Sequence, residues 1–257
     1  MMAEFSKIEW TDHTFNPWIG CTKVGDPCAN CYAEALMDTR YGRVEWGPHG
    51  ERVRTSPSTW TQLRKWNRQA AMAGTRPFVF SLSLGDIWDN QVDPAWRREA
   101  FDLARECPNL VMLYLSKRIG NAIDMARDAG GLPPNAALGA TFGDQRDYNR
   151  DSAKLEQARQ ELGALFTFGS FEPLLGPVAL DHLAPDWIIV GGESGPNARP
   201  MDLEWARRLK SDAAILRRVF NFKQVGGRGS DKGGHELDGK TYFDRPIAPP
   251  SPPRSKG

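Results

Sequence analysis

This chain has little of what most chemistry uses. Its 257 residues include only four cysteines and four histidines. So few thiols exclude a disulfide scaffold and suit a reducing compartment. Charge of one sign is also absent: 33 Lys and Arg against 32 Asp and Glu leave a formal net charge of +1. No general electrostatic field favours nucleic acid or an acidic membrane, so a nucleic-acid partner needs a local basic patch. No apolar run approaches the length of a membrane-spanning helix. The first residues, Met-Met-Ala-Glu-Phe-Ser-Lys, lack the apolar core of a signal peptide, and the expected location is the cytoplasm. An apolar fraction of 40% and a charged fraction of 25% are ordinary for a globular domain, and this length suffices for one α/β core. The nine tryptophans are expected in the core or lining a pocket.

Three of the four cysteines, Cys21, Cys28 and Cys31, fall within eleven residues. An odd number cannot all pair as disulfides, whereas clustered thiolates can hold a metal. Gly25 and Pro27 punctuate the loop before the closer pair, and Tyr32-Ala-Glu-Ala-Leu-Met follows with good helix formers. The pair then stands near a helix N-terminus, where free N–H groups favour anionic sulfur. Three ligands leave a coordination position open. The alternatives are buried cysteines that bind nothing, a zinc site completed by His13 or another residue, and an iron–sulfur cluster with one free iron. Cys107, in Arg-Glu-Cys-Pro, stands apart and is expected to be a bystander.

The run from Asn16-Pro-Trp-Ile-Gly-Cys to Cys28-Ala-Asn-Cys-Tyr-Ala resembles the cluster loop of radical S-adenosylmethionine enzymes, in the branch that contains spore photoproduct lyase. It departs from that pattern in having six residues, Thr22 to Pro27, between the first two cysteines instead of three. Asn30 also stands where an aromatic often precedes the last cysteine. Lys7-Ile-Glu-Trp-Thr-Asp, Leu115-Ser-Lys-Arg, Phe171-Glu-Pro-Leu-Leu-Gly-Pro, Gly191-Gly-Glu-Ser-Gly-Pro and Phe222-Lys-Gln occur together in this order. The combination is similar to a phage and bacterial family of unknown function with a three-cysteine motif. The resemblance implies a [4Fe–4S] cluster on Cys21, Cys28 and Cys31, S-adenosylmethionine as cofactor, and a reducing partner such as flavodoxin or ferredoxin. It further implies a 5′-deoxyadenosyl radical that abstracts hydrogen from a small molecule, a nucleobase or a nucleic acid, in the host cytoplasm if the chain is phage-encoded. The contrasting class is a zinc-stabilised nucleic-acid-binding or interaction module without catalysis.

Apolar runs alternate with helical patterns along the rest of the chain. The runs are 78–84, 110–115, 137–142, 165–169, 187–190 and 219–222, short and continuous as buried parallel strands are. Helices are predicted over Trp60, Leu63 and Ala70, ending at Gly74, after Asp93-Pro94, after Asp151-Ser152 through Leu165, and after Asp202. The expected fold is α/β, a partial (β/α)6-type barrel of parallel strands, with a flat doubly wound sheet as the alternative. The barrel and its cysteine loop span 1–225. A Gly/Pro-rich extension, 226–257, carries a hairpin at Asp238-Gly239 and a disordered proline-rich end. Residues 41–55 read as a mobile loop.

In β/α folds function collects where strands enter the following loops. Here those positions are polar: Ser83 and Asp86, Lys117 and Arg118, Thr141 and Asp144, Ser170 and Glu172, Glu193 and Ser194, Lys223 and Gln224. One reading is a set of salt bridges across the barrel mouth, such as Lys117–Glu172 or Arg118–Glu193. The other, which follows the resemblance, is a pocket for cofactor and substrate. There Ser83, Asp86 and Glu172 take the methionyl amine, Lys117 or Arg118 the carboxylate, and Thr141 and Glu193 complete the cofactor-binding set. Lys117 and Glu172 are the catalytic candidates. Gly191-Gly192 would let backbone approach a ligand closely.

Overall fold

The apolar runs form strands because both of their faces are covered. In this computed structural model, which describes residue 6 and residues 8–248, an eight-stranded sheet curls into a half-barrel. Its strands are β1 (His13–Phe15), β4 (Phe78–Ser81), β5 (Val111–Ser116), β6 (Ala136–Thr141), β7 (Thr167–Phe171), β8 (Trp187–Gly191), β9 (Val219–Gln224) and β10 (Tyr242–Phe243). They lie in that sequential order. All neighbours are parallel except β10, which runs antiparallel to β9. A doubly wound sheet would reverse its order at a switch point; this one never does, as in a barrel. A separate ribbon pairs β2 (Trp18–Ile19) with β3 (Val53–Arg54).

Alternation along each strand divides the core in two. Val79, Met112, Tyr114, Leu138, Ile188 and Val190 pack outward under the helices. Phe78, Phe80, Val111, Leu113, Phe168, Trp187 and Ile189 point inward, where Trp10 fills the floor. Its ring centroid lies 4.7 Å from Phe80 and 6.1 Å from both Phe168 and Trp187.

The helices follow their caps. α1 (Tyr32–Glu34) continues as one π-helical stretch, Ala35–Arg40, with Cys31 at its N-cap. α2 (Pro57–Ala73) ends at Gly74 in the left-handed conformation. The Asp93 carboxylate accepts from Ala95 N at the start of α3 (Pro94–Arg105), and Asp202 accepts from Glu204 N at the start of α6 (Leu203–Ile215). α4 (Ala122–Asp128) buries only Ala122 and Ala126, too short an apolar stripe to be seen as a period. α5 (Gln145–Leu162) begins a turn and a half before the predicted Asp151-Ser152. Asp144 caps it, and the deeply buried Tyr148 anchors its polar first turns. Gly163 ends it, so Leu165 lies outside the helix.

Residues 41–55 are tied down rather than loose. Arg52 and Asp89 form a buried pair at 2.7 Å, each side chain 1% exposed. Arg52 also donates to the carbonyls of Gly47 and Gly50 and to Thr22 Oγ1 in the cysteine loop. Beyond residue 225, Leu237 and Lys240 exchange backbone hydrogen bonds around Asp238 and Gly239, the predicted turn. β10 then pairs with β9, and Arg245 donates to Asp12 Oδ1 and the Glu9 carbonyl. The proline-rich stretch 249–257, expected to be disordered, lies outside the described residues.

Candidate functional site

All parallel strands point their C-terminal ends at one mouth, and the cysteine loop lies across it. β1 and β2 lead into Gly20 and Cys21; a 3-10 turn, Asp26–Cys28, presents Cys28; Cys31 opens α1. The three thiols line a cavity of about 450 Å³ together with Ser83, Asp86, Lys117, Arg118, Thr141, Glu172 and Glu193. Among the described residues no group of three His, Cys, Asp or Glu side chains is placed to hold a metal ion. The three thiols face one shared cavity and are not bridged to one another. His13, the candidate fourth zinc ligand, stacks on Trp66 at 4.3 Å and lines a different cavity at the floor. It lies at the start of β1, away from the mouth.

Charge in the mouth is held in pairs, but not the predicted ones. Asp86, 5% exposed, is a hub: Oδ1 accepts from Ser116 Oγ at 2.7 Å and Trp88 N at 2.9 Å, and Oδ2 from Lys117 N at 3.1 Å and Arg118 Nη1 at 3.3 Å. Arg118 also donates to Cys21 Sγ at 3.2 Å and to the Thr22 carbonyl at 2.7 Å. Glu172 pairs with Lys223, not with Lys117. Glu193 pairs with Arg199, not with Arg118, through Nε at 2.8 Å and Nη2 at 2.6 Å. Arg118 reaches Asp86 from the adjacent strand end, Lys223 reaches Glu172 from two strands away, and Arg199 lies in the same loop as Glu193.

The Glu193–Arg199 pair clasps the cysteine loop. Asn30 Nδ2 donates to Glu193 Oε2 and to the Asn197 carbonyl, both at 2.9 Å, and Arg199 Nη2 donates to the Asp26 carbonyl at 3.1 Å. Burial alone would raise the Glu193 carboxyl, but the hydrogen bonds from Arg199 and Asn30 outweigh it and hold it below the usual carboxylate range. Burial pushes the Cys21 thiol up to about 11; Asp86 adds to this and Arg118 opposes it. Such a thiol stays protonated unless a metal supplies the compensating charge. Tyr32, which sequence reasoning left without a role, donates to the Ser83 carbonyl at 2.5 Å and ties the start of α1 to the end of β4. Ser83 itself exchanges hydrogen bonds with Asn16.

Two candidates keep free capacity. Thr141, 3% exposed, has no hydrogen-bond partner for Oγ1 among the described residues. Lys117 has no ion-pair partner among them. Gly191-Gly192 differs from expectation. A Cβ on Gly192 would meet the Val225 carbonyl at 1.9 Å, so this glycine serves backbone packing between loops and not approach to a ligand. Arg199 and Asn30 also belong to the site. For Arg199 the available signal was a basic residue six positions after Glu193, within one turn-rich loop.

Fold and site define an α/β half-barrel protein with a three-cysteine loop across its C-terminal mouth. Within that class, a family model matches residues 5–246, and the chain belongs to the family described as Protein of unknown function (DUF5131). No curated protein matches the sequence. Among solved structures the chain is similar to a spore photoproduct lyase double mutant with bound AdoMet and dinucleoside spore photoproduct. The TM-score is 0.46 at 12% identity, over 84% of this chain and 57% of that one. A second spore photoproduct lyase mutant gives a TM-score of 0.45 at 11% identity, over 84% of this chain and 64% of that one. The chain thus spans roughly three fifths of the length of those proteins.

Proposed function

We propose that this protein is a radical S-adenosylmethionine enzyme acting on a nucleobase or nucleic acid. The observation that carries the reading is that Cys21, Cys28 and Cys31 share one open cavity with the polar ends of parallel strands. The donor set fits a [4Fe–4S] cluster held by three thiolates, with room beside it for the cofactor. When bound, that cluster supplies the electron that cleaves S-adenosylmethionine to a 5′-deoxyadenosyl radical. The rest is the work of the chain.

Arg118 steadies Cys21 and is itself held by Asp86, so its role is to position the ligand loop. The uncommitted ammonium of Lys117 is the donor for the methionyl carboxylate. The unpartnered Thr141 hydroxyl, buried on the cavity wall, meets a polar atom of the bound cofactor. Glu172, held by Lys223, offers its remaining lone pairs to an amine or hydroxyl. The aromatic floor closes the barrel below and excludes water from the reacting end.

The test is anaerobic reconstitution with iron and sulfide, followed by reduction in the presence of S-adenosylmethionine. The expected result is several irons per chain and release of 5′-deoxyadenosine. One tightly held zinc, no iron and no nucleoside product would instead establish a non-catalytic metal-stabilised module.

A further inference from the structure

Each carboxylate lining the mouth already has its cation: Asp86 has Arg118, Glu172 has Lys223 and Glu193 has Arg199. Among the lining cations, Lys23 lies 2.6 Å from Glu34. Two ammonium groups remain, those of Lys117 and Lys232, which line the same cavity without an ion-pair partner among the described residues. Both are partly buried. A partly desolvated ammonium without a counter-ion gains from an entering anion, because the charge-assisted bond restores what burial removed. In the reading above, Lys117 meets the cofactor carboxylate. Lys232 is then the cation with nothing assigned to it.

The backbone around Lys232 holds it in place. Residues 226–234 do not behave as a glycine linker. Val225 N donates to the Gly234 carbonyl and Gly226 N to the Lys232 carbonyl, at 3.0 and 2.7 Å, closing a compact knot. A Cβ on Gly226 would meet the Glu193 carbonyl at 2.6 Å, so the knot is seated on the β8–β9 side of the mouth. Within it Lys232 has φ 52°, the left-handed region where glycine is at ease and a lysine is not. Leu82, Arg217 and Asp238 share this conformation, but Lys232 is the one that brings an ammonium to the lining of the cavity.

We propose that Lys232 anchors a phosphate of the substrate, so that the mouth takes a nucleotide or a nucleic-acid strand and discriminates against a free nucleoside or base. This rests on the nucleobase reading above. A second groove of about 420 Å³ shares Thr22, Lys117 and Arg118 with the mouth, but its other cations, Arg150 and Lys154, are already held by Asp151, so the phosphate contact rests on Lys232.

The experiment is titration calorimetry of the reconstituted full chain with S-adenosylmethionine present. The probes are the four deoxynucleosides, their 5′-monophosphates and a short mixed-sequence single strand. The monophosphates or the strand should bind about ten- to a hundredfold tighter than the nucleosides, the range of a charge-assisted contact. Lys232→Gly suits the backbone at this position and should fold at least as well. It should remove the phosphate preference while leaving iron content and S-adenosylmethionine affinity unchanged, and Lys232→Arg should keep part of the preference. A preference for the strand without one for the monophosphates identifies a phosphodiester as the source; the reverse identifies a free nucleotide. Equal binding of nucleotides and nucleosides, no binding by any probe, or a preference that survives in Lys232→Gly overturns the proposal. If the wild type holds no iron and binds no S-adenosylmethionine yet keeps a Lys232-dependent phosphate preference, the enzymatic reading fails and the phosphate site stands.

Discussion

The floor and the mouth of the half-barrel are made by the same strands and follow opposite rules. At the floor the inward positions are aromatic or aliphatic: Phe78, Phe80, Val111, Leu113, Phe168 and Trp187 around Trp10. One or two inward positions further along, the strands and the loops they enter present Lys117, Thr141, Ser170, Glu172 and Lys223. The same strands run through both ends, with one register shift between β8 and β9 at Val190 and Gly191. What changes is that the floor stabilises by removing apolar area from water, while the mouth keeps polar groups at a cost it offsets by pairing. Charge is tolerated where a partner lies within reach, and what is left unpaired is available to a ligand.

That contrast can be broken from either end. The largest effect is expected at the mouth. Cys28→Ala should abolish iron retention after reconstitution while the apo chain melts nearly as before, and Cys107→Ala should keep the full complement of iron. Cys107 is wholly buried in the outer core, and burial, aided by Glu106, pushes its thiol up to about 12. Loss of iron in the Cys107 variant would show that the mouth does not hold the metal alone.

At the floor, Phe168→Ala should cost about 3–5 kcal/mol in urea unfolding, the price of a large cavity among rings that cannot collapse. Its folded fraction should still bind iron. A loss near 1 kcal/mol would mean that the floor is loosely packed and the division between the two ends is not real.

Between these lies the clasp. Arg199→Ala leaves the buried Glu193 with Asn30 as its one side-chain donor. The cost is about 1–3 kcal/mol, below that of a fully buried pair because Arg199 is 35% exposed. Limited proteolysis should then cut within residues 21–31 faster than in the wild type. Unchanged cleavage would remove the clasp from the account of how the cysteine loop is held.

The smallest effect is at the rim. Asp144 caps α5, accepting from Arg146 N at 2.9 Å and Asp147 N at 3.1 Å. Burial would raise its pKa, but these bonds and the Arg146 guanidinium hold it below the usual carboxylate range. A depressed carboxyl stabilises the fold above its unfolded pKa and loses that contribution as the pH falls through the folded value. Asp144→Ala should therefore cost about 1 kcal/mol at pH 7, and the deficit should close as the pH falls below the usual carboxylate range and through the depressed folded value. A deficit that persists at acid pH would show packing, not charge, at this cap.

Much of the fold was legible because burial on both faces leaves an uninterrupted apolar run. All six predicted strands occur, and Asp93, Asp202 and Gly74 end their helices as their chemistry requires. β1 was not legible, since His13-Thr14-Phe15 has no run to read and becomes a strand only by pairing with Val79 to Ser81. The start of α5 was hidden by its polar first turns. Residues 41–55 looked loose because their anchor, Arg52, meets Asp89, a partner 37 positions away. In the site, the three cysteines and the strand-end polar groups could be listed from sequence, but their partners could not.

By itself, then, the sequence determined the alternation of strands and helices, the caps, and the crowding of three thiols into one loop. These depend on neighbours a few residues apart, and periodicity records them. Only the tertiary structure decided that Glu172 belongs to Lys223, that Arg118 belongs to Asp86 and Cys21, and that Lys117 and Lys232 have no counter-ion among the described residues. Ion pairing is settled by which chain segments the curl of the sheet brings within a few ångströms, and at those distances the strength of a charge's interaction depends on burial as much as on identity.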